Sequence, residues 1–590
     1  MSRKMKIGAS YYPELLDKSE WQKDLEVARK IGLSVLRCGE FAWSFFEKKE
    51  GNWTPEWALE FLDLALKYNF EIIWCTPSAT PPPYLLKKWP DLYAVSSDAK
   101  KMPMGIRRHY CPSHNLYKKK CAKMTGKLYD SLGSHPAIIA WQIDNEMAGD
   151  GDTCWCEICR KEFHKWLKNK FETIDRFNKA LQNGFWSQVY THWDEIPLPL
   201  MLKVMHSPSL KLYYRRFRSD NWLDFYRNQY DVLKSKGAEK VTTNFFNPGW
   251  NMPFDQWQWR PYLDAISVSH YAKEENYYRF QLAFLKGLDK KPIWILEQKA
   301  GEHIAQNLFS DNLERIENNL KINREFGVEY SLYWQYRQHV SGVEMDHGCV
   351  VRHDGKATRI ADSIKKAIPK TEAIPIAESA NDKLLVFSFQ QQWSLENRRD
   401  MGGNRDYREE IQENWYLPLR NEYGNISVGS YRDISKGTKI VFLPLMQMEE
   451  PGLTDKIDLC LNAGGSIVLT ADFGQLDYHG KYKRIAPLQT LSRWIDVPEI
   501  EFISLAEKYN LSANIDQTPI NGNLFLAIPL EEHSGSSVGV IKTKEFGETP
   551  YCLSFSVKKG KILLFLTAPD SAALSVLLKK INSKNLIKNG

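Results

Sequence analysis

The 590-residue sequence lacks several features that mark specialised classes of protein. No apolar run reaches the length of about 20 residues that a membrane-spanning helix needs, and the N-terminal residues lack the apolar core of a secretory signal. The net charge of +7 is small for this length, and the basic runs are scattered without interleaved aromatics. We therefore expect a cytoplasmic protein that binds neither nucleic acid nor membrane.

The first 340 or so residues contain eight short apolar runs separated by amphipathic segments. In those segments apolar residues recur every three or four positions, which predicts helices. Eight strand–helix units predict an α/β fold, a (β/α)8 TIM barrel, with a long insertion at about 150–238. The predicted strands are 6–12, 34–41, 71–77, 137–144, 240–246, 265–271, 292–298 and 330–337.

The remainder of the chain predicts a second domain. A proline-containing, mixed-charge stretch at 366–383 separates the barrel, 1–365, from an open α/β domain at 384–575, and a short basic tail follows at 576–590. The sequence "NAGGS" (462–466) lacks the glycine spacing of a phosphate-binding loop. We expect it to be a turn that ends a helix.

Two acidic residues stand at the ends of predicted barrel strands. Glu146 follows the fourth strand, beside Asn145, and Glu297 lies near the end of the seventh. The carboxyl ends of barrel strands surround the ligand-binding mouth, and a carboxylate inside a strand would be costly to bury. Two carboxylates at one mouth are what glycosidic cleavage needs, since one donates a proton while the other stays ionised. Salt bridges or helix caps are the alternative for either residue.

Other polar residues near predicted strand ends are candidates for a sugar site. Arg107 and its neighbour Arg108 are suited to a hydroxyl or carboxylate, with a surface ion pair as the alternative. Tyr271 ends the sixth strand and is expected to reach a carboxylate on the seventh, unless it is simply buried. Glu344 and His347 follow the eighth strand, where a solvated pair is the alternative.

The cysteines predict a metal site. Ten cysteines in so long a chain do not make a disulfide scaffold, but Cys154, Cys156 and Cys159 crowd together. A tetrahedral zinc needs one more thiolate, and Cys111 after the third strand is the candidate. Four sulfurs leave no open position, so this zinc would be structural and not catalytic. Unliganded thiols and a redox pair are the alternatives.

The sequence resembles glycoside hydrolase family 42, the β-galactosidases of the retaining clan built on (β/α)8 barrels. The resemblance is dense over about 5–365 and thinner over 381–575. The motifs that carry it are "YYPE" (11–14), "RCGEFAWSFFE" (37–47), "TPSATPPPYL" (76–85), "RRHYCPS" (107–113), "QIDNE" (142–146), "CWCEIC" (154–159), "LEQ" (296–298) and "QYRQHVSGVEMDHG" (335–348). It implies a flavodoxin-like second domain and a homotrimer.

The resemblance also implies a role for each candidate residue. Glu146 would be the general acid/base and Glu297 the nucleophile. Arg107, Asn145, Glu344 and His347 would hold sugar hydroxyls, and Tyr271 would support the nucleophile. Zinc would be bound by Cys111, Cys154, Cys156 and Cys159, and no organic cofactor is expected.

The sequence departs from the family pattern in three places. The segment "EQKAGEHIAQNLF" (297–309) lacks the tryptophan that the family usually carries there, the sixth strand ends in "SVSHYA", and the small C-terminal β domain is expected to be missing or rudimentary. We predict a retaining exo-β-glycosidase acting on oligosaccharides or glycosides with terminal β-D-galactose. The alternatives are the same mechanism on a β-galactofuranoside, β-glucoside, β-mannoside or arabinopyranoside, or a catalytically silent sugar-binding protein. A zinc-dependent hydrolase is disfavoured because no histidine-rich ligand set with a vacant position is present.

Overall fold

The structure, a computed structural model, describes most of the chain. It covers residues 4–105, 107–148, 154–200, 205–245, 253–301, 313–372, 374–376, 382–398, 406–504, 512–515, 518–521, 525–531, 533–543 and 547–583. Among these residues no helix is long and apolar enough to cross a membrane.

The predicted (β/α)8 barrel is confirmed. Every predicted strand is present, and the fifth is divided at Thr243 into two short pieces. The strands are β1 (Lys6–Ser10), β2 (Val35–Cys38), β3 (Glu71–Thr76), β4 (Ile138–Ile143), β5 (Val241–Thr242), β6 (Asn244–Phe245), β7 (Ile266–His270), β8 (Ile293–Lys299) and β9 (Val328–Trp334).

The barrel strands are all parallel, and the first strand joins the two halves of the sheet. Strand β1 pairs with β2 on one side and with β9 on the other. Strand β5 pairs with β4, whereas β6 pairs with β7, so the two halves of the sheet meet at Thr243. The carboxyl ends of all these strands therefore gather at one mouth.

Apolar side chains from neighbouring barrel strands pack into a buried core. Val35, Ile73, Trp294 and Leu332 belong to one buried cluster, as layered barrel packing requires. The backbones approach closely near this core, because a Cβ added at Gly8 would lie 2.1 Å from the carbonyl oxygen of Val35. Only glycine fits this position of β1.

The helices follow the amphipathic segments of the sequence. Helix α1, for example, ends at Gly32, whose φ of 102° is the left-handed conformation that glycine adopts readily at a helix end. The helices in this part of the sequence are α1 (Lys18–Ile31), α2 (Trp43–Phe46), α3 (Glu56–Lys67), α4 (Pro83–Lys88), α5 (Asn115–Leu132), α6 (Glu157–Phe171), α7 (Ile174–Leu181), α8 (Pro208–Ser235), α9 (Glu275–Leu288), α10 (Leu313–Glu325) and α11 (Arg359–Thr371).

The chain divides into two compact units. The first comprises Met1–Glu172, His192–Val204 and Arg216–Ala377. The second comprises Thr173–Thr191, Met205–Arg215 and Glu378–Gly590. Two segments of the predicted insertion, including α7, therefore group with the second unit.

The second unit contains a large mixed sheet. Its strands are β10 (Lys383–Val386), β11 (Ser427–Gly429), β12 (Ile440–Leu443), β13 (Ser466–Thr470), β14 (Ile500–Ser504), β15 (Ser512–Ile515), β16 (Thr518–Asn521), β17 (Phe525–Pro529), β18 (Ser536–Thr543), β19 (Gly547–Val557) and β20 (Gly560–Phe565). Its helices are α12 (Phe389–Glu396), α13 (Tyr407–Glu409), continued by a π-helical stretch at Glu410–Tyr416 into α14 (Leu417–Tyr423), then α15 (Leu453–Asn462) and α16 (Ser571–Ser583).

The parallel part of this sheet has the flavodoxin strand order. Strands β11, β10, β12, β13 and β20 lie side by side, which is the order 2-1-3-4-5. The expected flavodoxin-like fold is therefore confirmed. The glycines of "NAGGS" form the turn between α15 and β13, as predicted: Gly464 has a φ of +89°, and a Cβ at Gly465 would lie 2.4 Å from the Cys460 sulfur.

The antiparallel strands of the second unit were not predicted. Beyond β20 the sheet continues with antiparallel β19, β18, β15 and β16, and β14 pairs with β17 in a separate two-stranded sheet. Helix α16 includes part of the segment expected as a basic tail, and it buries Leu577, Leu578 and Ile581.

Candidate active site

The turn that follows β4 has a backbone conformation that non-glycine residues rarely adopt. Asp144 and Glu146 have φ of +59° and +46°. Such strain costs of order 1–3 kcal/mol per residue and persists only where surrounding contacts hold it. The buried Asp144 carboxylate accepts hydrogen bonds from the hydroxyls of Ser78 (2.6 Å) and Tyr110 (3.0 Å). These contacts fix the turn that carries Asn145 and Glu146.

The Glu146 carboxylate is buried beside two arginines. Its Oε2 lies 3.1 Å from Nη2 of Arg107 and 3.8 Å from Nη1 of Arg108. Arg108 also donates a hydrogen bond to the backbone carbonyl of Glu146. Both arginines singled out in the sequence therefore meet this glutamate, while the Arg107 side chain keeps 22% of its surface exposed.

The Glu297 carboxylate is also buried, and both of its oxygens have donors. Oε1 accepts a hydrogen bond from the Asn244 amide (3.0 Å) and lies 2.9 Å from Nη1 of Arg37. Oε2 accepts a hydrogen bond from the Tyr271 hydroxyl at 2.7 Å. Because all these donors favour the charged form, they stabilise an ionised Glu297.

Arg37, in the middle of the mouth, is fully buried. Besides Glu297, its Nη1 contacts Oε1 of Glu40 at 2.9 Å. Its Nη2 donates to Oδ1 of Asn145 at 2.6 Å, and its Nε donates to the Gln142 side chain at 2.7 Å. One guanidinium thus holds two carboxylates and two amides that come from β4, β8 and the end of β2.

Asn244, on the short strand β6, links the two glutamates. Its side-chain nitrogen lies 2.8 Å from Oδ1 of Asn145 and 3.0 Å from Oε1 of Glu297. Its side-chain oxygen accepts hydrogen bonds from the backbone N–H of Glu146 (3.0 Å) and from Gln142 (2.8 Å). Since the Asn145 oxygen accepts from both Arg37 and Asn244, the NH2 group of Asn145 is what it can offer to a ligand.

Tyr12, Trp334 at the end of β9 and His347 on the following loop form a wall of rings at the mouth. The Tyr12 hydroxyl donates to Glu40 at 2.7 Å and accepts from the Trp334 indole at 2.8 Å. The His347 ring packs edge-on against Trp334, with 4.4 Å between ring centres. The backbone N–H of His347 donates to the Glu344 carbonyl at 3.1 Å. Both candidates therefore lie on the Trp334 side of the mouth, and both are partly exposed.

Burial and the nearby Glu146 carboxylate raise the pKa of Glu297 to about 7, while Arg37 and the Tyr271 hydrogen bond act in the opposite direction. Two buried carboxyl groups that repel each other titrate as a pair. The pair therefore retains one proton up to about neutral pH. One proton shared by two carboxyls is the state that an acid and a nucleophile require together.

The predicted cysteine cluster is present at a second place in the first unit. The sulfurs of Cys111, Cys154, Cys156 and Cys159 all lie within 4.8 Å of one another. Cys111 is 3.5 Å from the sulfurs of both Cys156 and Cys159. Four sulfurs around a tetrahedral zinc at about 2.3 Å are about 3.8 Å apart. The donor set and its spacing therefore fit a zinc ion.

The cluster is connected to the mouth through a short stretch of chain. Cys111 lies only three residues beyond Arg108. The backbone N–H of Val95 points at the Cys154 sulfur (3.4 Å), and the backbone N–H of Cys111 donates to the Leu92 carbonyl at 2.8 Å. A metal ion that held the four sulfurs together would therefore also fix the loop that carries Arg107 and Arg108.

Sequence reasoning missed Arg37, Glu40, Gln142 and Asn244 as members of the site. Arg37 had a usable signal, because a charged residue inside the apolar run "SVLRC" must find a buried partner. Asn244 had no comparable signal in "VTTNFF". The residues of 302–312, which include part of the segment that lacks the family's tryptophan, lie outside the described residues.

Comparison with known families gives two matches. The β-galactosidase family of glycoside hydrolases, number 42, matches residues 10–374. The β-galactosidase trimerisation domain matches residues 382–588.

Characterised relatives are similar over most of their length. The chain is 28% identical over 485 residues to β-galactosidase BgaA of Clostridium cellulovorans, covering 79% of this chain and 72% of that protein. It is 26% identical over 606 residues to β-galactosidase YesZ of Bacillus licheniformis, covering 99% and 88%.

Solved structures share the fold. The β-galactosidase from Bacillus circulans sp. alkalophilus superposes with a TM-score of 0.90 at 22% identity, covering 100% of this chain and 90% of that chain. The cold-adapted enzyme from Rahnella sp. R3 gives 0.90 at 23% identity, covering 100% and 89%.

We predict that Arg37→Met destabilises the protein by about 3–5 kcal/mol, because Glu40 and Glu297 would remain buried without their cation. Denaturant unfolding followed by circular dichroism at pH 8 measures the change. Arg352→Met is the matched control, since Arg352 pairs with Asp354 at the surface and its loss should matter little. Equal stability of the two variants would contradict the role of Arg37, as would a loss that does not shrink in acid, where the carboxylates become protonated.

Proposed function

The chain belongs to the β-galactosidases of glycoside hydrolase family 42, and we propose from this that it is a retaining exo-β-glycosidase that hydrolyses terminal non-reducing β-D-galactosides. The observation that carries the proposal is the joining of Glu146 and Glu297 through Asn244 at the carboxyl ends of the barrel strands. Retaining glycosidases use two carboxyl groups about 5–5.5 Å apart, one as acid/base and one as nucleophile.

In the first step Glu297 attacks the anomeric carbon, and Glu146 gives its proton to the departing oxygen. In the second step Glu146 accepts a proton from water, and that water displaces Glu297 from the covalent glycosyl-enzyme. The overall result is retention at the anomeric carbon. Donors on both oxygens of Glu297 support its role as the ionised partner.

In this mechanism Glu146 is the group that donates the proton to the departing oxygen. The Arg107 guanidinium lies 3.1 Å from this carboxyl group. We propose that a bound sugar hydroxyl draws Arg107 away, because this side chain is the partly exposed one of the two arginines.

The remaining candidates would hold the sugar. Asn145 offers its NH2 group, Arg107 its guanidinium, and Glu344 and His347 approach from the Trp334 side. Tyr271 keeps Glu297 oriented through its hydrogen bond. The characterised relatives are β-galactosidases, which supports galactose over the other β-linked sugars. A panel of chromogenic glycosides tests this, and good turnover of another sugar without turnover of the β-galactopyranoside would reject galactose.

We propose that a structural zinc joins Cys111, Cys154, Cys156 and Cys159. All four ligands would be thiolates, so the ion would have no open position for substrate and would act by fixing the loop that carries Arg107. Thiolate ligands persist best in a reducing compartment, which supports the cytoplasmic location expected from the sequence. The trimerisation-domain match at 382–588 supports a homotrimer, which sedimentation equilibrium can test.

We predict that Glu146→Gln and Glu297→Gln each lower kcat by at least 10²-fold, since each removes a group that acts on the reacting atoms. Steady-state kinetics with a chromogenic β-galactoside measures the loss. Glu56→Gln, on the exposed start of α3, is the control and should be unaffected.

Rescue of alanine variants by azide distinguishes the nucleophile from the general acid/base. Rescue of Glu297→Ala should give the galactosyl azide of inverted configuration, whereas Glu146→Ala should give the retained product, because its covalent intermediate still forms. The opposite pairing of products would exchange the two assignments, and wild-type rates in either Gln variant would remove that residue from the mechanism.

We predict that kcat/KM falls on the alkaline side near pH 7, where the pair loses its last proton. The Tyr271 hydroxyl stabilises the Glu297 anion and so lowers its pKa. Tyr271→Phe should therefore move this alkaline limb to higher pH. Tyr262→Phe, in the same unit, is the control. A limb that stays in place or moves to lower pH in Tyr271→Phe would show that this hydrogen bond does not tune the pair.

We predict about one zinc per chain by elemental analysis, and a lower zinc content together with a lower Tm in Cys156→Ser. Cys349→Ser, which removes a buried thiol outside the cluster, should retain the metal. Rapid, reversible loss of activity on chelation with an unchanged Tm would instead indicate a catalytic metal.

A further inference from the structure

A cavity of about 690 Å³ lies within the second unit, and no step of the proposed reaction uses it. One wall is the end of α7 and the following turn, with Lys179, Gln182 and Asn183. The other wall is the loop at 477–484. All lining residues belong to the second unit, whereas Glu146 and Glu297 belong to the first. We call this cavity the basic cleft.

The basic cleft has an excess of positive charge. Lys179, Lys481, Lys483 and Arg484 line it, against the single carboxylate of Asp477. Lys481 is neutralised by Asp477 at 3.4 Å, and Lys483 lies 2.5 Å from Glu449. Within the part of the chain that the structure describes, Lys179 and Arg484 have no carboxylate partner. These two cations are therefore available to an anion.

A buried amide points to a ligand as well. Asn183 is only 8% exposed, and its side-chain NH2 group has no hydrogen-bond partner among the described residues. A buried donor without a partner costs about 1–3 kcal/mol. A ligand oxygen that reached this NH2 group would remove that cost.

The cleft also presents an aromatic ring. The Tyr482 ring is 67% exposed, and the Arg398 guanidinium is nearby. Exposed rings beside hydrogen-bond donors accept ligands that have both an apolar face and polar edges. A volume of this size lies within the range of small-ligand sites. The combination of ring, amides and unpaired cations is what a charged sugar would match.

We propose that the basic cleft is a second ligand site that binds a sugar carrying a carboxylate or a phosphate. Lys179 and Arg484 meet the anionic group, the Asn183 NH2 group donates to a ring or hydroxyl oxygen, and Tyr482 lies against the apolar face. Neutral galactose lacks the group that these cations need, so it does not fill this site. The inference stands apart from the proposed reaction in the barrel.

Calorimetric titration of the full chain tests the proposal with galacturonate, galactose 6-phosphate, inorganic phosphate and galactose as probes. We expect at least one charged sugar to bind, and Lys179→Glu/Arg484→Glu to weaken that binding at least tenfold. Asn183→Asp, of nearly the same shape but with an acceptor in place of the donor, should also weaken it. Lys436→Glu, a charge reversal at an exposed lysine of the same unit, should bind as the wild type.

Several outcomes would overturn the proposal. Charged-sugar binding that survives in Lys179→Glu/Arg484→Glu would belong to another place, such as the barrel mouth. Inorganic phosphate that binds as tightly as the sugar phosphate would indicate an anion site without sugar recognition. A changed sedimentation coefficient in the cleft variants would make the cleft a contact between copies. Turnover of a neutral β-galactoside by these variants should equal that of the wild type, so a failed titration and a failed reaction are told apart.

Discussion

The mouth of the barrel depends on one buried guanidinium. Arg37 is surrounded by Glu40, Glu297 and the Asn145 amide and has no access to solvent. Buried carboxylates without a cation would either take up protons or destabilise the fold. Arg37 compensates the charges of Glu40 and Glu297, so both carboxylates can be buried in the mouth of the barrel. Arg37 also stabilises the strained turn after β4, because it donates a hydrogen bond to the side-chain oxygen of Asn145 in that turn.

The same contacts explain why the site is rigid before any ligand arrives. Asn244 accepts a hydrogen bond from the backbone N–H of Glu146 and donates one to the Glu297 carboxylate, so neither the Glu146 backbone nor the Glu297 carboxyl group can move without breaking a hydrogen bond. Donors that are already oriented need no rearrangement when charge develops on a reacting group. The cysteine cluster adds a further restraint, since the loop it closes leads directly to the two arginines at Glu146.

Local sequence patterns predicted the barrel strands and the two carboxylates at the strand ends, because these features depend on residues that are close together in the chain. Buried parallel strands read as apolar runs, so all eight barrel strands were found, and carboxylates at strand ends stood out. Arg37 and Asn244 were missed because most of their partners are distant in the chain: Asn145 is 108 residues from Arg37, and Glu297 is 53 residues from Asn244. The division of the fifth strand and the antiparallel extension of the second sheet depend on pairing between distant segments, which no window of sequence contains.

The division of the fifth strand has a consequence for how the protein fails on heating. Strands β5 and β6 have two residues each, and only a few backbone hydrogen bonds join them to their neighbours. Segments joined to their neighbours by few backbone hydrogen bonds open locally at a lower free energy than the whole domain. Asn244 lies on β6, directly after the break in the fifth strand. Warming should therefore part the two glutamates while the rest of the barrel is still folded, so that inactivation precedes melting.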